Sequence, residues 1–274
     1  MEKVRPIGIL DSGVGGLTVG REIVRYLPDE KIVYYGDTLH LPYGKRLLKE
    51  VRYFVCQIID FLLEEKQAKA IVLACNTATS AALTVVKDKY QVPIFGTIKS
   101  VIESAYQASN KKKIGVIGTE ATINSQAYQK SLLNLDKKIK VFSAACPLFV
   151  ELVEQGNFRG TEVKRIAHKY LDGLREAGID VLILGCTHFP YLIPVIQEVM
   201  GEGVTLITSG KAMARNMSEV MKKNNILNGN NYENIAGQEF IVSDKRQISG
   251  KFLEKGREYL NLPSLKFKEY NIFK

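Results

Sequence analysis

The sequence predicts an α/β fold with two similar domains, each holding a mostly parallel sheet flanked by helices. Three observations predict it. Short apolar runs alternate with longer segments whose apolar residues recur at helical spacing, as in successive β-α units. Small polar residues follow most of the runs, as at strand ends that line a binding site. Two of these strand ends carry a cysteine in matching contexts, which suggests a duplicated half.

The first half carries four predicted strands and the helices between them. Strands are predicted over residues 5–10, 31–35, 70–74 and 92–95, and helices over 17–26, 47–65 and 78–90. Gly13, Gly15 and Gly16 follow the first strand and allow the backbone to approach an anion at a helix N-terminus. Because they lack the dinucleotide spacing and no Walker lysine follows, a nucleotide site is not predicted.

The second half repeats this alternation. Strands are predicted over residues 114–117, 140–144, 181–184 and 204–207, with a possible edge strand over 240–242. Thr122 is a candidate N-cap for one helix. The other helices are expected near 101–108, over 149–154 and 161–177, after Pro190, up to Lys223, and over 248–260, with an Asn-rich loop over 224–234.

Length and composition limit the classes of protein. A chain of 274 residues can bury a core without disulfides or metal. It has no apolar run long enough for a membrane span and starts without an apolar signal segment, so we expect a cytoplasmic protein that contacts no membrane. The net charge is +9, but lysines occur in short clusters, which favours solvated surface charge over a nucleic-acid site. The charge would also attract a dicarboxylate.

Cys75 and Cys186 are the candidate reactive groups. Each follows an apolar strand and precedes hydroxyl or amide side chains, so both thiols should lie at the mouth of one site and face each other across a substrate carbon. One could remove a proton while the other delivers one. A free cysteine has a pKa of about 8.5, so each needs help to ionise. Helix N-termini, His188 and Asp11 are the candidate sources of that help.

Other interpretations of these residues were weighed. Taken alone, Cys75 would be read as a small core residue. A zinc site from Cys75, Cys186 and His188 lacks a clear fourth ligand, so no metal is predicted. The remaining candidates are interpreted as structural or surface residues: Cys56 and Cys146 in the core or a loop, His40 and His168 at the surface, and Lys99 as a solvated or paired lysine rather than a Schiff base.

Several motifs together closely resemble the glutamate racemases of the cofactor-independent aspartate/glutamate racemase superfamily. They occur in order from residue 7 to about residue 210. The segments are Ile9 to Val19, Gly36-Asp37-Thr38, Pro42-Tyr43-Gly44, Ala74-Cys75-Asn76-Thr77-Ala78, Gly115 to Thr119, Cys146 to Val150, and Gly185-Cys186-Thr187-His188-Phe189-Pro190.

The resemblance implies a function and a role for each matching residue. Cys75 and Cys186 would be the acid/base pair, with Asp11 assisting the former and His188 and Glu154 the latter. Glutamate would be racemised without a cofactor, supplying D-glutamate for peptidoglycan. Residues 98–208 would form a domain inserted between 1–97 and 209–274, and a homodimer is expected. Substrate contacts are implied for Asp11, Ser12, Tyr43, Gly44, Asn76, Thr77, Thr187 and His188.

Two segments depart from the family pattern. Residues 97–100 lack the proline or acidic residue that often follows the strand, and Thr208 stands where an aspartate is common. Both lie near the predicted domain crossover rather than at the thiols. Two alternatives to glutamate racemisation are another small acidic substrate, such as aspartate, a hydantoin or a malonate, and a non-catalytic binder of acidic ligands or nucleic acid. The complete thiol pair argues against a one-cysteine decarboxylase and against simple binding.

Overall fold

A computed structural model of the protein describes residues 2–228, 238–262 and 265–273. Within these ranges, no helix has both the length and the apolar character needed to span a membrane. The strands are β1 (Ile7–Asp11), β2 (Ile32–Gly36), β3 (Ala70–Leu73), β4 (Ile94–Gly96), β5 (Lys113–Gly118), β6 (Lys140–Ala145), β7 (Val181–Gly185), β8 (Thr205–Thr208), β9 (Glu239–Val242) and β10 (Lys268–Glu269).

Helices connect the strands, as the alternating pattern predicts. They are α1 (Leu17–Tyr26), α2 (Leu48–Glu64), α3 (Asn76–Lys89), α4 (Thr97–Ala108), α5 (Glu120–Asn124), α6 (Ala127–Leu135), α7 (Pro147–Glu154), α8 (Thr161–Glu176), α9 (Ile193–Met200), α10 (Ser209–Lys223) and α11 (Gly250–Leu260). Short 3₁₀ turns cover Tyr43–Lys45 and Phe189–Leu192.

The strands form two parallel sheets. The first has the order β10-β9-β2-β1-β3-β4, and the second has the order β6-β5-β7-β8. Every pair in both sheets is parallel, with Leu10 opposite Leu73 in the first sheet and Gly118 opposite Gly185 in the second. Parallel sheets need helices on both faces, so their strands read as continuous apolar runs. The predicted fold class is confirmed.

The two sheets are linked through helices rather than through hydrogen bonds between strands. Helix α10 follows β8 of the second sheet and packs against α1, which follows β1 of the first sheet. It also packs against α4, which connects β4 to β5. Residues from both sheets contribute to the largest buried apolar cluster. The domain limits expected from the sequence, at residues 97–98 and 208–209, stay a prediction.

Several predicted elements differ in detail from the structure. Helix α4 begins at Thr97 instead of near 101, because the buried Thr97 side chain and backbone N–H both bond to the Thr79 hydroxyl. Thr119, not Thr122, caps α5: the Thr119 hydroxyl accepts the Thr122 N–H at 3.3 Å, so the expected cap was wrong by one turn. The predicted Asn-rich loop falls partly on 229–234, outside the described residues.

Candidate active site

The carboxyl ends of β1, β3 and β7 meet at one small cavity between the two sheets. Cys75 and Cys186 both line it, and each is less than a tenth exposed. The cavity measures about 20 Å³, room for roughly one water molecule. Its lining consists of Ser12, Pro42, Tyr43, Gly44, Cys75, Asn76, Thr77, Thr119, Val150, Gly185, Cys186, Thr187 and His188.

Cys75 is held as the N-cap of α3. Its Sγ accepts the backbone N–H of Ala78 at 3.4 Å. Burial, together with the negative charge of Asp11, raises the pKa of Cys75 to about 12, although the hydrogen bond from Ala78 acts to lower it. The helix N-terminus therefore acts in the expected sense, but burial outweighs it. Cys75 carries a proton at neutral pH in this closed arrangement, contrary to the expected net effect.

Cys186 lies beside an imidazole instead. The Nδ1 atom of His188 is 3.7 Å from Sγ of Cys186, and its Nε2 atom is 3.3 Å from Oε1 of Glu154, at the end of α7. Burial acts to lower the pKa of His188, but its interactions with the Cys186 sulfur and the Glu154 carboxylate outweigh burial, and the pKa lies well above its ordinary value. A cationic imidazole would therefore lie next to the Cys186 sulfur.

Asp11 lies behind the cavity rather than on its surface. Its side chain is fully buried, and its oxygens accept the Gly13 N–H at 3.1 Å and the Thr187 hydroxyl at 3.4 Å. Burial raises the pKa of Asp11, although the positive charge of His188 opposes this effect. Asp11 and Glu154 are thus the predicted site residues that do not line the cavity, and both are adjacent to residues that do.

The glycines after β1 are explained by close packing at the site. A Cβ atom on Gly15 would lie 2.6 Å from Nδ1 of His188, and one on Gly16 would lie 2.6 Å from Cβ of Asp11. These positions bring backbone against two candidate acid/base side chains, where no larger residue fits. The sequence interpretation attributed the glycines to an approaching anion. The observed approach is to His188 and Asp11.

Some residues of the site were not selected from the sequence. Thr119 and Val150 line the cavity. Thr119 packs closely on Gly44: a Cβ atom added to Gly44 would lie 2.6 Å from Cβ of Thr119. The signal for Thr119 was its place directly after β5, at the same sheet edge as Cys186. Tyr128 and Ser209 bond to Asn76 from behind. No local pattern marks them, because their sequence separation from Asn76 is large.

The other candidates lie away from the thiol pair or in structural settings. Cys56 is half-buried on α2, Cys146 is buried at the start of α7, and burial raises the pKa of Cys146. Lys99 is exposed on α4, and His168 pairs with Asp172 at the surface.

His40 is less exposed than expected. Its side chain is 20% exposed, its ring stacks on Phe54 with centroids 4.0 Å apart, and its Nδ1 lies 2.9 Å from the buried Asp37 carboxylate. An aromatic face and a buried acid hold it where the sequence showed only a loop. Among the residues that the structure describes, no three His, Cys, Asp or Glu side chains are grouped to hold a metal ion.

Comparison with known proteins identifies the family. A family model described as Asp/Glu/hydantoin racemase matches residues 7–217. The chain belongs to this family. A glutamate racemase of Listeria monocytogenes is 39% identical over 259 residues, covering 94% of this chain and 95% of its own. A glutamate racemase of Bacillus cereus is 43% identical over 228 residues, covering 83% of this chain and 84% of its own.

Solved structures agree with the family assignment. A glutamate racemase from Bacillus anthracis superimposes with a TM-score of 0.89 at 37% identity and covers 98% of both chains. One from Francisella tularensis, in complex with D-glutamate, gives a TM-score of 0.88 at 32% identity and covers 99% of both chains. The resemblance seen in the sequence motifs is therefore confirmed over nearly the whole chain.

Proposed function

We propose that this chain interconverts L- and D-glutamate without a cofactor, with Cys75 and Cys186 as the two acid/base groups. The observation that carries the proposal is that both thiols line one enclosed cavity, contributed by different sheets. A racemase needs a group on each face of the stereocentre, because the proton leaves one face and returns to the other. The D-glutamate formed would supply peptidoglycan synthesis.

The environments of the two thiols support unequal starting states. Cys75, whose pKa is raised to about 12, holds its proton, whereas Cys186 faces the cationic ring of His188. Cys186 as thiolate would take the α-proton, and the Cys75 thiol would deliver a proton to the opposite face. The reverse reaction starts from the opposite charge distribution. Such a difference between neighbouring titratable groups is how acid and base roles are assigned in an active site.

Asp11 and Glu154 are proposed to support the thiols without touching the reacting carbon. Burial raises the pKa of Asp11. Its carboxylate would therefore accept a proton when the protonation state of Cys75 changes. Glu154 holds the outer nitrogen of His188 at 3.3 Å, which keeps the ring charged and directed at Cys186. Both act in a buried setting, where electrostatic interactions are stronger than in water.

Substrate recognition is proposed to use the polar groups that line the cavity. Ser12, Thr77 and Thr187 line the cavity, and their hydroxyls would bind carboxylate and ammonium groups of glutamate. The Thr77 and Thr187 hydroxyls already bond to Thr119 and Asp11, which would hold them in place. The Asn76 amide nitrogen is buried with no partner among the described residues, so a carboxylate oxygen could accept its N–H. A fixed donor of this kind would hold the carboxylate in place while the α-proton leaves. Tyr43 and Gly44 close the wall opposite Thr119.

The cavity of about 20 Å³ is smaller than glutamate, so substrate entry requires its walls to separate. One contact across the opening is an exposed ion pair. The Lys45 ammonium lies 3.0 Å from Glu151, and both side chains are about half exposed. Such a pair contributes little stability and can break at low cost. Closure after binding would exclude water and strengthen the charge interactions in the site.

Exchange of the α-proton in heavy water tests the proposal directly. Each glutamate enantiomer is incubated with the protein in D₂O, and deuterium at the α-carbon and circular dichroism are followed together. We expect deuterium uptake and loss of optical activity from both enantiomers. Aspartate and a hydantoin serve as comparison substrates. A faster reaction with either of them would show that it, rather than glutamate, is the preferred substrate. Binding of glutamate without any exchange would identify a non-catalytic binder.

A further inference from the structure

We propose that the hydroxyl of Tyr128 is a positioning group that holds the Asn76 amide with its N–H₂ directed at the substrate. This inference rests on the proposed function, since it assigns Asn76 a bound carboxylate. Tyr128 does not line the cavity and so would not contact glutamate itself. It would act through Asn76, the residue directly after Cys75.

Two hydroxyls converge on one oxygen of Asn76. Its Oδ1 accepts the Tyr128 hydroxyl at 2.6 Å and the Ser209 hydroxyl at 3.2 Å. The Asn76 side chain is 2% exposed, and its Nδ2 has no hydrogen-bond partner among the described residues. A buried amide nitrogen without a partner is rare, because the lost hydration is not replaced. A ligand acceptor in the cavity would supply the missing bond.

The contacts of the Asn76 oxygen orient its amide group. Hydrogen bonds between two oxygens are commonly about 2.7 Å long, and the contact between the Tyr128 hydroxyl and Oδ1 of Asn76, at 2.6 Å, has that length. The amide nitrogen is the end left without a partner among the described residues, in a side chain that belongs to the cavity lining. Without the Tyr128 hydroxyl, the amide could rotate and present its oxygen to a substrate carboxylate.

Tyr128 also connects the two thiol walls. Tyr128 lies on α6, which comes between β5 and β6 of the second sheet, whereas Asn76 begins α3 of the other half. Its ring packs over the backbone just before Cys186, so that a Cβ on Gly185 would meet the ring at 3.3 Å. Only 3% of Tyr128 is exposed. The Tyr128 side chain therefore contacts Asn76, directly after Cys75, and Gly185, directly before Cys186. It would orient the Asn76 amide only while the two halves are in contact.

Steady-state kinetics of Tyr128→Phe test the inference, because this change removes the hydroxyl and keeps the ring. We expect KM for glutamate to rise about tenfold, with a smaller change in kcat, since a ground-state contact to the carboxylate is lost. Tyr106→Phe is the matched control. It removes a hydroxyl from the same half, bonded to Asp136 at the surface, and should leave both constants unchanged.

A double-mutant cycle separates positioning from general structural damage. In an Asn76→Ala background, Tyr128→Phe should change KM less than twofold, because the group through which it acts is gone. An equal rise in KM in both backgrounds, or no rise in the single variant, would overturn the inference. If Tyr128→Phe does not fold, Ser209→Ala replaces it in the same cycle, and additivity of Ser209→Ala with Asn76→Ala would equally overturn it.

The same variants distinguish this inference from the proposed function. If the wild-type protein shows no α-proton exchange, the proposed racemase activity fails. Glutamate binding by calorimetry then takes the place of KM, and the positioning role survives only if Tyr128→Phe weakens binding in the Asn76 background and not in the Asn76→Ala background. If exchange occurs but the cycle is additive, the racemase proposal stands and the positioning role fails.

Discussion

The imidazole Nδ1 of His188 lies 3.7 Å from the sulfur of Cys186, whereas the sulfur of Cys75 has a backbone N–H and a buried acid for neighbours. One thiol is thus next to a positive charge and the other next to a negative charge. The site is symmetric in its strand geometry and asymmetric in its electrostatics. That asymmetry leads to the following predictions.

Replacing either thiol should nearly abolish racemisation. Cys75→Ser and Cys186→Ser each substitute a hydroxyl that ionises far less readily, so we expect kcat/KM to fall by about 100- to 10,000-fold in both directions. The measurement is circular dichroism of each glutamate enantiomer over time. Cys56→Ser is the control, because Cys56 is half-buried on α2 and does not line the cavity. Substantial turnover by either active-site variant would reject the two-thiol mechanism.

The pH dependence should report His188. Its pKa lies well above 6.5, so the ring is cationic below that raised pKa and becomes neutral as pH rises through it. The positive charge beside the Cys186 sulfur is then lost, and kcat/KM should decline on the alkaline side. Glu154→Gln removes one of the groups that raise this pKa, so the alkaline decline should move to lower pH.

Histidine NMR and pH–rate profiles together check this shift. The ring titration of His188 and the kinetic decline should move in the same direction and by a similar amount in Glu154→Gln. Glu151→Gln is the control, because Glu151 lies on the same helix but pairs with Lys45. A profile that does not move in Glu154→Gln would show that Glu154 does not act through His188.

Gly15→Ala should damage activity more than it damages folding. The added Cβ would lie 2.6 Å from Nδ1 of His188, so the ring must shift from its observed place beside Cys186. We expect kcat to fall at least about tenfold, since small displacements of a reacting group are costly. Thermal unfolding followed by circular dichroism should show a folded protein.

Gly20→Ala serves as the matched substitution on α1. There the nearest atom to a new Cβ is Cδ1 of Ile9 at 3.8 Å, an ordinary contact. Because alanine is favoured over glycine inside a helix by about 0.5–1 kcal/mol, Gly20→Ala should keep activity and gain stability. Equal kinetics for Gly15→Ala and the wild type would show that activity does not depend on the observed position of the His188 ring.

Lys69→Met should destabilise the fold without changing the chemistry. The Lys69 ammonium lies 2.6 Å from Glu30, both side chains are at most 3% exposed, and the pair lies at the end of β3 opposite Cys75. Removing the lysine leaves a buried, unpaired carboxylate, which costs about 3–5 kcal/mol of unfolding free energy. Urea denaturation measures the loss, and kcat at low temperature should be unchanged.

An exposed pair of the same length provides the comparison. Lys164 lies 2.6 Å from Glu198, but both side chains are about half exposed. Lys164→Met should therefore change the unfolding free energy by less than about 1 kcal/mol. If the two lysine variants lost equal stability, burial would not be what makes the Lys69 pair important.

Much of this protein could be predicted from local patterns. Strand positions followed from apolar runs, since strands covered by helices on both faces are apolar throughout. Cys75 and Cys186 could be paired because parallel strands place their carboxyl ends at one edge. The predicted substrate contacts came from the resemblance to the family motifs. The family motifs then supplied Glu154, which no periodicity had singled out.

The sequence by itself determined the order of elements, the family and the two thiols, because these depend on residues near one another in the chain. Only the tertiary structure decided that Asp11 lies behind the cavity, that His40 packs on Phe54, and that Tyr128 bonds to Asn76. It also decided that Cys75 keeps its proton, because burial and the charge of Asp11 outweigh the helix N-terminus there. Solvent exclusion and contacts between distant segments exist only after the chain has folded, and both set the electrostatics of the site.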